Sequence, residues 1–222
     1  MIIGIDMGHS LQGPGTGASD ILSEVEENRK IGLELIRMLE DKNNIVINCT
    51  VDSAASENEQ LKGIVDKANA QHLDYFISLH LNSGGGNGTE TYTLPGASAT
   101  TRAKATAINN AITISCNFTN RGVKEASFYV LRNTTAPAIL VEVCFVDSQK
   151  DADKLNTHEV AKALYKGITG HEYIESVTPP TPSKTFYRVV CGSFKNKDLA
   201  QERADEVKSK TGYDCFLVVY NN

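Results

Sequence analysis

The chain has 222 residues, a formal net charge of −5 and 41% apolar residues. That length suits one ordinary domain plus a small addition, with a core large enough to need no disulfide staples. The acidic balance excludes a general attraction to nucleic acid or anionic lipid, and no apolar run is long enough to span a membrane.

The amino terminus, MIIGIDMGHS, has no basic leader region and no apolar stretch of signal-peptide length, so synthesis in the cytoplasm without a signal peptide is expected. Ile2 to Ile5 is apolar on both faces, as expected of a central parallel strand, and leads to Gly8-His9. The Gly-rich stretch LQGPGTGAS follows. No GKS or GKT closes it, so it is not a phosphate loop and reads as a flexible rim. Ser23 and Glu26 have the spacing of a capping box, and Ile31, Leu35, Met38 and Leu39 continue as a helical stripe. Extending that stripe backwards turns Asn28 and Glu24 towards the core.

Ile45 to Cys49 reads as a second strand and Glu57 to Gln71 as a second helix. Phe76 to Leu79 is a short buried strand ending at His80, followed by a Gly-rich loop. Gly88 to Leu94 alternates as a strand, Thr100 to Cys116 is an Ala-rich helix, and Phe128 to Leu131 and Ala138 to Val143 read as strands. His158 to Gly170 closes the unit as a helix. The alternation predicts an α/β domain over residues 1–174, a mostly parallel twisted sheet flanked by helices. Residues 175–185, with the run SVTPPTPSK, read as a Pro-rich extended linker. Residues 186–222 read as a small β-α-β module: strand Phe186 to Cys191, a turn at Gly192-Ser193, helix Asp198 to Thr211 capped by Gly212, strand Cys215 to Tyr220. The cysteines (Cys49, Cys116, Cys144, Cys191 and Cys215) form no CxxC pair and read as reduced packing thiols.

Three apolar runs each deliver an ionisable residue near a strand end: His9, His80 and Glu142. In open α/β sheets ligands bind outside the carboxyl ends of the strands. A lone histidine there is more often structural, and that reading is kept for His72, His158 and His171. His9, Glu24 and His80 together offer the two imidazoles and one carboxylate that a hydrolytic zinc site uses, with a fourth position for water. Glu142 in ILVEVCFV costs several kcal/mol to bury unpaired, so it should face a cleft or a cation. Beside such a site it would act as general base. Asp6 and Asp74 are candidate partners for the ligand imidazoles.

The stretches IIGIDMGHS, SEVEENRKIGLELIRML, KANAQHLDYFISLHLNS and NRGVKEASFYVLRNTTAPAILVEVCFVDSQKD resemble the zinc-dependent N-acetylmuramoyl-L-alanine amidases of the Amidase_3 type. The likeness runs from about residue 1 to 174 and includes the GH, E-x-x-x-N, S-x-H-x-N and P-x-x-L-V-E patterns. It implies zinc on His9, Glu24 and His80, Glu142 as the catalytic glutamate, and cleavage of the amide between the lactyl group of N-acetylmuramic acid and the first L-alanine of the stem peptide. The family often has Arg where this chain has Ile64 and Pro where it has Met7. The tail FYRVVCGSFKNKDLAQERADEVKSKTGYDCFLVVY resembles half of a SPOR-type peptidoglycan-binding domain, which implies wall binding and suggests that two chains combine their halves in a homodimer.

These resemblances imply a phage endolysin or a bacterial autolysin that reaches the cell wall after release by lysis or a holin. Two other readings compete: a non-catalytic wall-binding protein, which the intact donor set disfavours, and a zinc carboxypeptidase-like peptidase. The last would need a clamp for the substrate carboxylate, for which Arg121 and Arg132 are the candidates.

Overall fold

The computed structural model describes residues 1–175 and 194–211. The chain divides into two compact units, Met1–Ser176 and Val177–Asn222.

The first unit is built on six strands: β1 (Ile2–Asp6), β2 (Ile45–Asn48), β3 (Tyr75–Asn82), β4 (Thr89–Thr93), β5 (Asn120–Glu125) and β6 (Ala138–Phe145). They lie in the order β2-β1-β3-β6-β4-β5, and every neighbouring pair is parallel except β6 with β4. The helices are α1 (Glu24–Asp41), α2 (Glu57–Asn69), α3 (Ala99–Ser115), α4 (Tyr129–Asn133), α5 (Gln149–Ala152) and α6 (Thr157–Thr169).

The period-two alternation of the central strands sorts their side chains into two cores. Ile77, Leu79 and Leu81 of β3 and Ile139, Val141 and Val143 of β6 pack with Ile31 and Leu35 of α1, Ile108 of α3 and Leu164 of α6. Fully burying a Leu or Ile contributes about 1.5–3 kcal/mol, so this face carries most of the stability. On the other face, Phe76, Ala138 and Leu140 pack with Ile64 and Val65 of α2 and Val130 and Leu131 of α4. Further along those strands the same face turns polar: Ser78 and His80 on β3, Glu142 on β6. The smaller core stops there and the chemistry begins. Ile64 and Met7, where the family often has Arg and Pro, are both core residues.

Four local expectations change. Phe128 to Leu131 is not a strand: Tyr129–Asn133 is the short helix α4. A four-residue apolar run cannot separate the two periods by itself, and here Val130 and Leu131 cover α2 rather than extend the sheet. The edge strand is instead Asn120–Glu125, a polar stretch with no apolar signature. Ser23 is the N-cap of α1 but its side chain makes no capping bond. The backbone ties that helix start instead, since the Glu24 amide donates to the Ala18 carbonyl at 3.0 Å. Finally, β3 runs on to Asn82, so His80 lies inside the strand just before an irregularity in its pairing with β6.

Of the second unit, Lys197–Thr211 is helix α7, where the pattern predicts one. The expected linker from Val177 to Lys184, the strands Phe186 to Cys191 and Cys215 to Tyr220, the Gly192-Ser193 turn and the Gly212 cap lie outside the described residues. Cys49, Cys116 and Cys144 are buried free thiols. Burial pushes Cys49 up to about 12 and Cys116 to about 11, which suits packing rather than reactive roles.

Candidate active site

The strand register builds the site. His80 on β3 is paired with Glu142 on β6, and Glu142 in turn with Glu90 on β4. Residues directly across a ladder point to the same face, so His80, Glu142 and Glu90 form a row. His9 and Glu24 join it from the loop after β1 and the first turn of α1.

Glu24 is 4% exposed, and its Oε1 lies 2.9 Å from His9 Nε2 and 3.1 Å from His80 Nδ1. The other nitrogen of each imidazole meets an oxygen. His9 Nδ1 is 3.1 Å from the Gly15 carbonyl and His80 Nε2 is 3.2 Å from Ser78 Oγ. The Ser78 hydroxyl donates to Asp6 Oδ2 at 2.7 Å, so it accepts the proton on His80 Nε2. That leaves the lone pairs of His9 Nε2 and His80 Nδ1 directed inward, the arrangement found around ligand imidazoles. Candidate ligand atoms of His9, Glu24 and His80 all lie within 4.8 Å of one another. The donor set therefore fits zinc: two neutral nitrogens and one carboxylate at a strand-end cleft.

Where no cation intervenes, the two inward nitrogens instead face Glu24 as hydrogen-bond donors, and the charge states follow from that. Burial by itself would raise the Glu24 carboxyl, but hydrogen bonds from His80 and His9 outweigh it and hold the group well below the usual range. Burial would lower His80, yet the bond to Glu24 and the charges of Glu142, Glu24 and Asp6 raise it to about 9. Burial pushes Glu142 up to about 7, with the charge of His80 opposing and those of Glu24 and Glu90 adding. A bound dication would favour ionised Glu142 and neutral His80. Glu142 Oε2 is buried and has no hydrogen-bond partner among the described residues, and the same is true of both polar side-chain atoms of Asn28, one turn beyond Glu24.

The Gly-rich loop is more than a rim. Its Gly15 carbonyl holds His9, and its Ala18 amide donates to Glu24 Oε2 at 2.9 Å. Gly17 has φ +78°, and a Cβ there would meet His9 Cδ2 at 2.8 Å and Glu24 Oε2 at 2.9 Å. At Gly8 a Cβ would meet the Leu79 carbonyl at 2.5 Å. Both glycines are there because the backbone passes against the site.

Sequence reasoning missed Arg29. From α1 it donates to the carbonyls of Met7, of Gly8 (3.0 Å) and of His9 (2.7 Å), with Asp52 Oδ1 at 2.6 Å behind it. One guanidinium thus fixes the turn that carries His9, whose φ of +65° is unusual for a residue with a Cβ. The only signal was its place beside Asn28. Glu90 was also missed. It is 2% exposed and accepts from Asn82 and Tyr92 at 2.7 Å, from Arg121 Nε at 2.5 Å and from Lys124. Its carboxyl is held down at about 2, because bonds from Lys124, Arg121 and Tyr92 outweigh burial.

Of the other candidates, Asp6 reaches His80 through Ser78, whereas Asp74 accepts from the Ile2 amide at 2.7 Å in the turn before β3, at the far end of the sheet. Arg132 donates to the Ser127 carbonyl on the surface and is no clamp. His158 pairs with Glu34, also outside the site.

Sheet and site together define an α/β protein with a His-Glu-His centre of the hydrolytic metalloenzyme kind and a carboxylate beside it. The N-acetylmuramoyl-L-alanine amidase family model, Amidase_3, matches residues 3–170, and the chain belongs to that family. A sporulation-specific N-acetylmuramoyl-L-alanine amidase of Bacillus subtilis (strain 168) is 33% identical over 219 residues, covering 97% of this chain and 83% of that protein. The N-acetylmuramoyl-L-alanine amidase CwlM of Bacillus licheniformis is 33% identical over 222 residues, covering 98% and 84%. Among solved structures, the catalytic domain of the CD27L endolysin targeting Clostridia Difficile superposes with a TM-score of 0.69 at 27% identity, covering 78% of this chain and 98% of that one. A SPOR domain model matches residues 148–219. That span starts well before the expected tail module, and its first part coincides with α5 and α6. Helix α6 packs its Val160, Leu164 and Ile168 into the core of the first unit.

Proposed function

We propose that this chain hydrolyses the amide between the lactyl group of N-acetylmuramic acid and the first L-alanine of the stem peptide, with zinc held by His9, Glu24 and His80 and with Glu142 as general base. The observation that carries the proposal is Glu142: a half-buried residue whose register partner is His80 and whose Oε2 is buried without a partner among the described residues. Zinc bound there supplies Lewis-acid activation of water and of the scissile carbonyl. Glu142 takes a proton from the attacking water and returns it to the amide nitrogen as the C–N bond breaks. The products are a carboxylate on the lactyl group and a free amino terminus on L-alanine. Asp6 and Ser78 keep His80 in the tautomer that presents Nδ1, and Arg29 holds the turn of His9.

The tail, SPOR-like by its match, retains the enzyme on the cell wall, and two tails pair in a homodimer. The enzyme works on wall reached after release from the cell. Among the described residues no helix is long and apolar enough to cross a membrane.

The test is end-group analysis of purified peptidoglycan after digestion. New amino termini on L-alanine are expected, abolished by chelation and restored by zinc. New reducing sugar ends, or new amino termini elsewhere in the stem, would overturn the reading. For the tail, sedimentation velocity of the full chain across a concentration series should show a dimer that is missing from a chain ended at Ser176. The shortened chain should also cut soluble muropeptides normally but bind intact wall less.

A further inference from the structure

We propose that Arg121 and Lys124 form a subsite for a carboxylate of the stem peptide, on the peptide side of the scissile amide, with Glu90 as its buried support. The proposal rests on the amidase reading and specifies which substrate that active site prefers.

The row of the sheet places the two cations. His80, Glu142 and Glu90 are register partners on β3, β6 and β4, and β5, which carries Arg121 and Lys124, is the next strand. Adjacent strands lie about 4.8 Å apart. The cations therefore sit one to two strands, roughly 5–10 Å, beyond the general base and on the side away from the metal ligands. In the stem, the residue after L-alanine is a glutamate whose α-carboxyl is free in some walls and amidated in others. An extended peptide advances about 3.3–3.6 Å per residue. With the scissile amide over Glu142, that carboxylate falls within reach of the cations.

Charge gives the second argument. Arg121 and Lys124 both contact Glu90 Oε2, so two cations converge on one buried carboxylate, with Glu142 the next carboxylate along the row. Glu90 also accepts from Asn82 and Tyr92, so its own needs do not call for both. Each cation remains open to solvent, with side-chain exposures of 33% and 39%. Arg121 gives only Nε to Glu90, and its terminal nitrogens have no hydrogen-bond partner among the described residues. Its guanidinium carbon lies over the Phe145 ring, 4.9 Å from the centroid. A guanidinium anchored through Nε with its terminal nitrogens unused can take a carboxylate in bidentate fashion.

The experiment compares two soluble muramoyl peptides that differ only in carboxylate or carboxamide at the residue after L-alanine. The intact chain should prefer the acid by about tenfold or more in kcat/KM, as expected for a charge-assisted bond. Arg121→Gln and Lys124→Met should each bring that ratio towards one, and Lys124→Arg should restore it. Calorimetry on Glu142→Gln, which should turn the peptides over roughly 10²-fold or more slowly, should show the same preference in binding. Equal kcat/KM for the two peptides in the intact chain overturns the proposal. So does a loss of activity on both peptides alike with the ratio kept, which would mark the cations as supports of Glu90 alone. Should neither peptide be cut, the amidase reading falls, and the binding comparison decides the carboxylate subsite by itself. Thermal melting of each variant identifies any that fails to fold, and the remaining variant then carries the test.

Discussion

Glu24 and Glu90 flank Glu142 from opposite sides, and the two are kept ionised by different means. Glu24 is held by two imidazoles and by the backbone amides of Ala18 and Leu81. Glu90 is held by a lysine, an arginine, a tyrosine hydroxyl and an asparagine. The first set includes two imidazoles, which can bind a metal, and the second two cations, which repel one. Between them Glu142 has an oxygen without a partner, and burial lifts its carboxyl to about 7. Two carboxylates saturated with donors stay charged, so the mobile proton of the site belongs to the third, which is not saturated. In the mechanism proposed above, one flank serves metal binding and the other serves the substrate.

The largest effect should come from breaking the metal flank outright. His80→Ala removes one of three metal donors and leaves Glu24 short of a partner. Activity should vanish, and metal analysis of the purified variant should find zinc lost with it. A full equivalent of tightly bound zinc in His80→Ala would remove that residue from the donor set. Next in size is the residue between the flanks. Glu142→Gln keeps the shape and both neighbours but cannot accept a proton. The rate at saturating substrate should fall roughly 10²-fold or more, the usual share of a general base, with zinc content unchanged. A near-normal rate would place the base elsewhere.

How much of this was legible in the sequence follows the same division. The metal flank was readable because its residues interrupt strong patterns: His9 and His80 follow buried strands, Glu142 interrupts an apolar run, and Glu24 falls on the core side of a helical stripe. Of the substrate flank only Arg121 was named, as a candidate clamp for a substrate carboxylate in the peptidase reading. Glu90 sits among threonines in TETYT, and Arg121 and Lys124 lie in a polar edge strand that hydrophobic periodicity cannot detect. Only the antiparallel pairing of β4 with β6 brings Glu90 opposite Glu142, and a pairing between strands so far apart in the chain leaves no local trace. Arg29 escaped for a related reason. Towards the site its partners are three backbone carbonyls, which any sequence would have supplied.

The positioning residues of the metal flank should give intermediate effects. Ser78→Ala cuts the link from Asp6 to His80, and Arg29→Met releases the turn that carries His9. Supports of this kind typically cost 10–100-fold in metal affinity when removed, and roughly that loss is expected here. Competition against a chromophoric chelator measures it directly on the apo and loaded protein. Unchanged zinc affinity in both variants would mean that the imidazoles are oriented without these supports.

The smallest effect should come from the substrate flank, where Tyr92→Phe removes a single donor. The Tyr92 hydroxyl donates to Glu90 Oε1 at 2.7 Å. Asn82 remains on the same oxygen, and Arg121 and Lys124 remain on the other. Glu90 therefore stays ionised and compensated, and the ring of the substituted residue can keep its edge contact with Phe128, now 5.2 Å between centroids. The net contribution of one hydrogen bond is about 0.5–1.5 kcal/mol, and somewhat more when it is made to a charge. Urea unfolding of Tyr92→Phe should register a loss of that order, with zinc affinity the same as in the unaltered chain. The contrast with Ser78→Ala is the point of the measurement. Both changes delete one hydroxyl that bonds a buried carboxylate, and only the one on the His80 side should reach the metal. If Tyr92→Phe weakened zinc binding as much as Ser78→Ala does, Glu142 would be transmitting strain from one flank to the other, and the division of labour between them would fail.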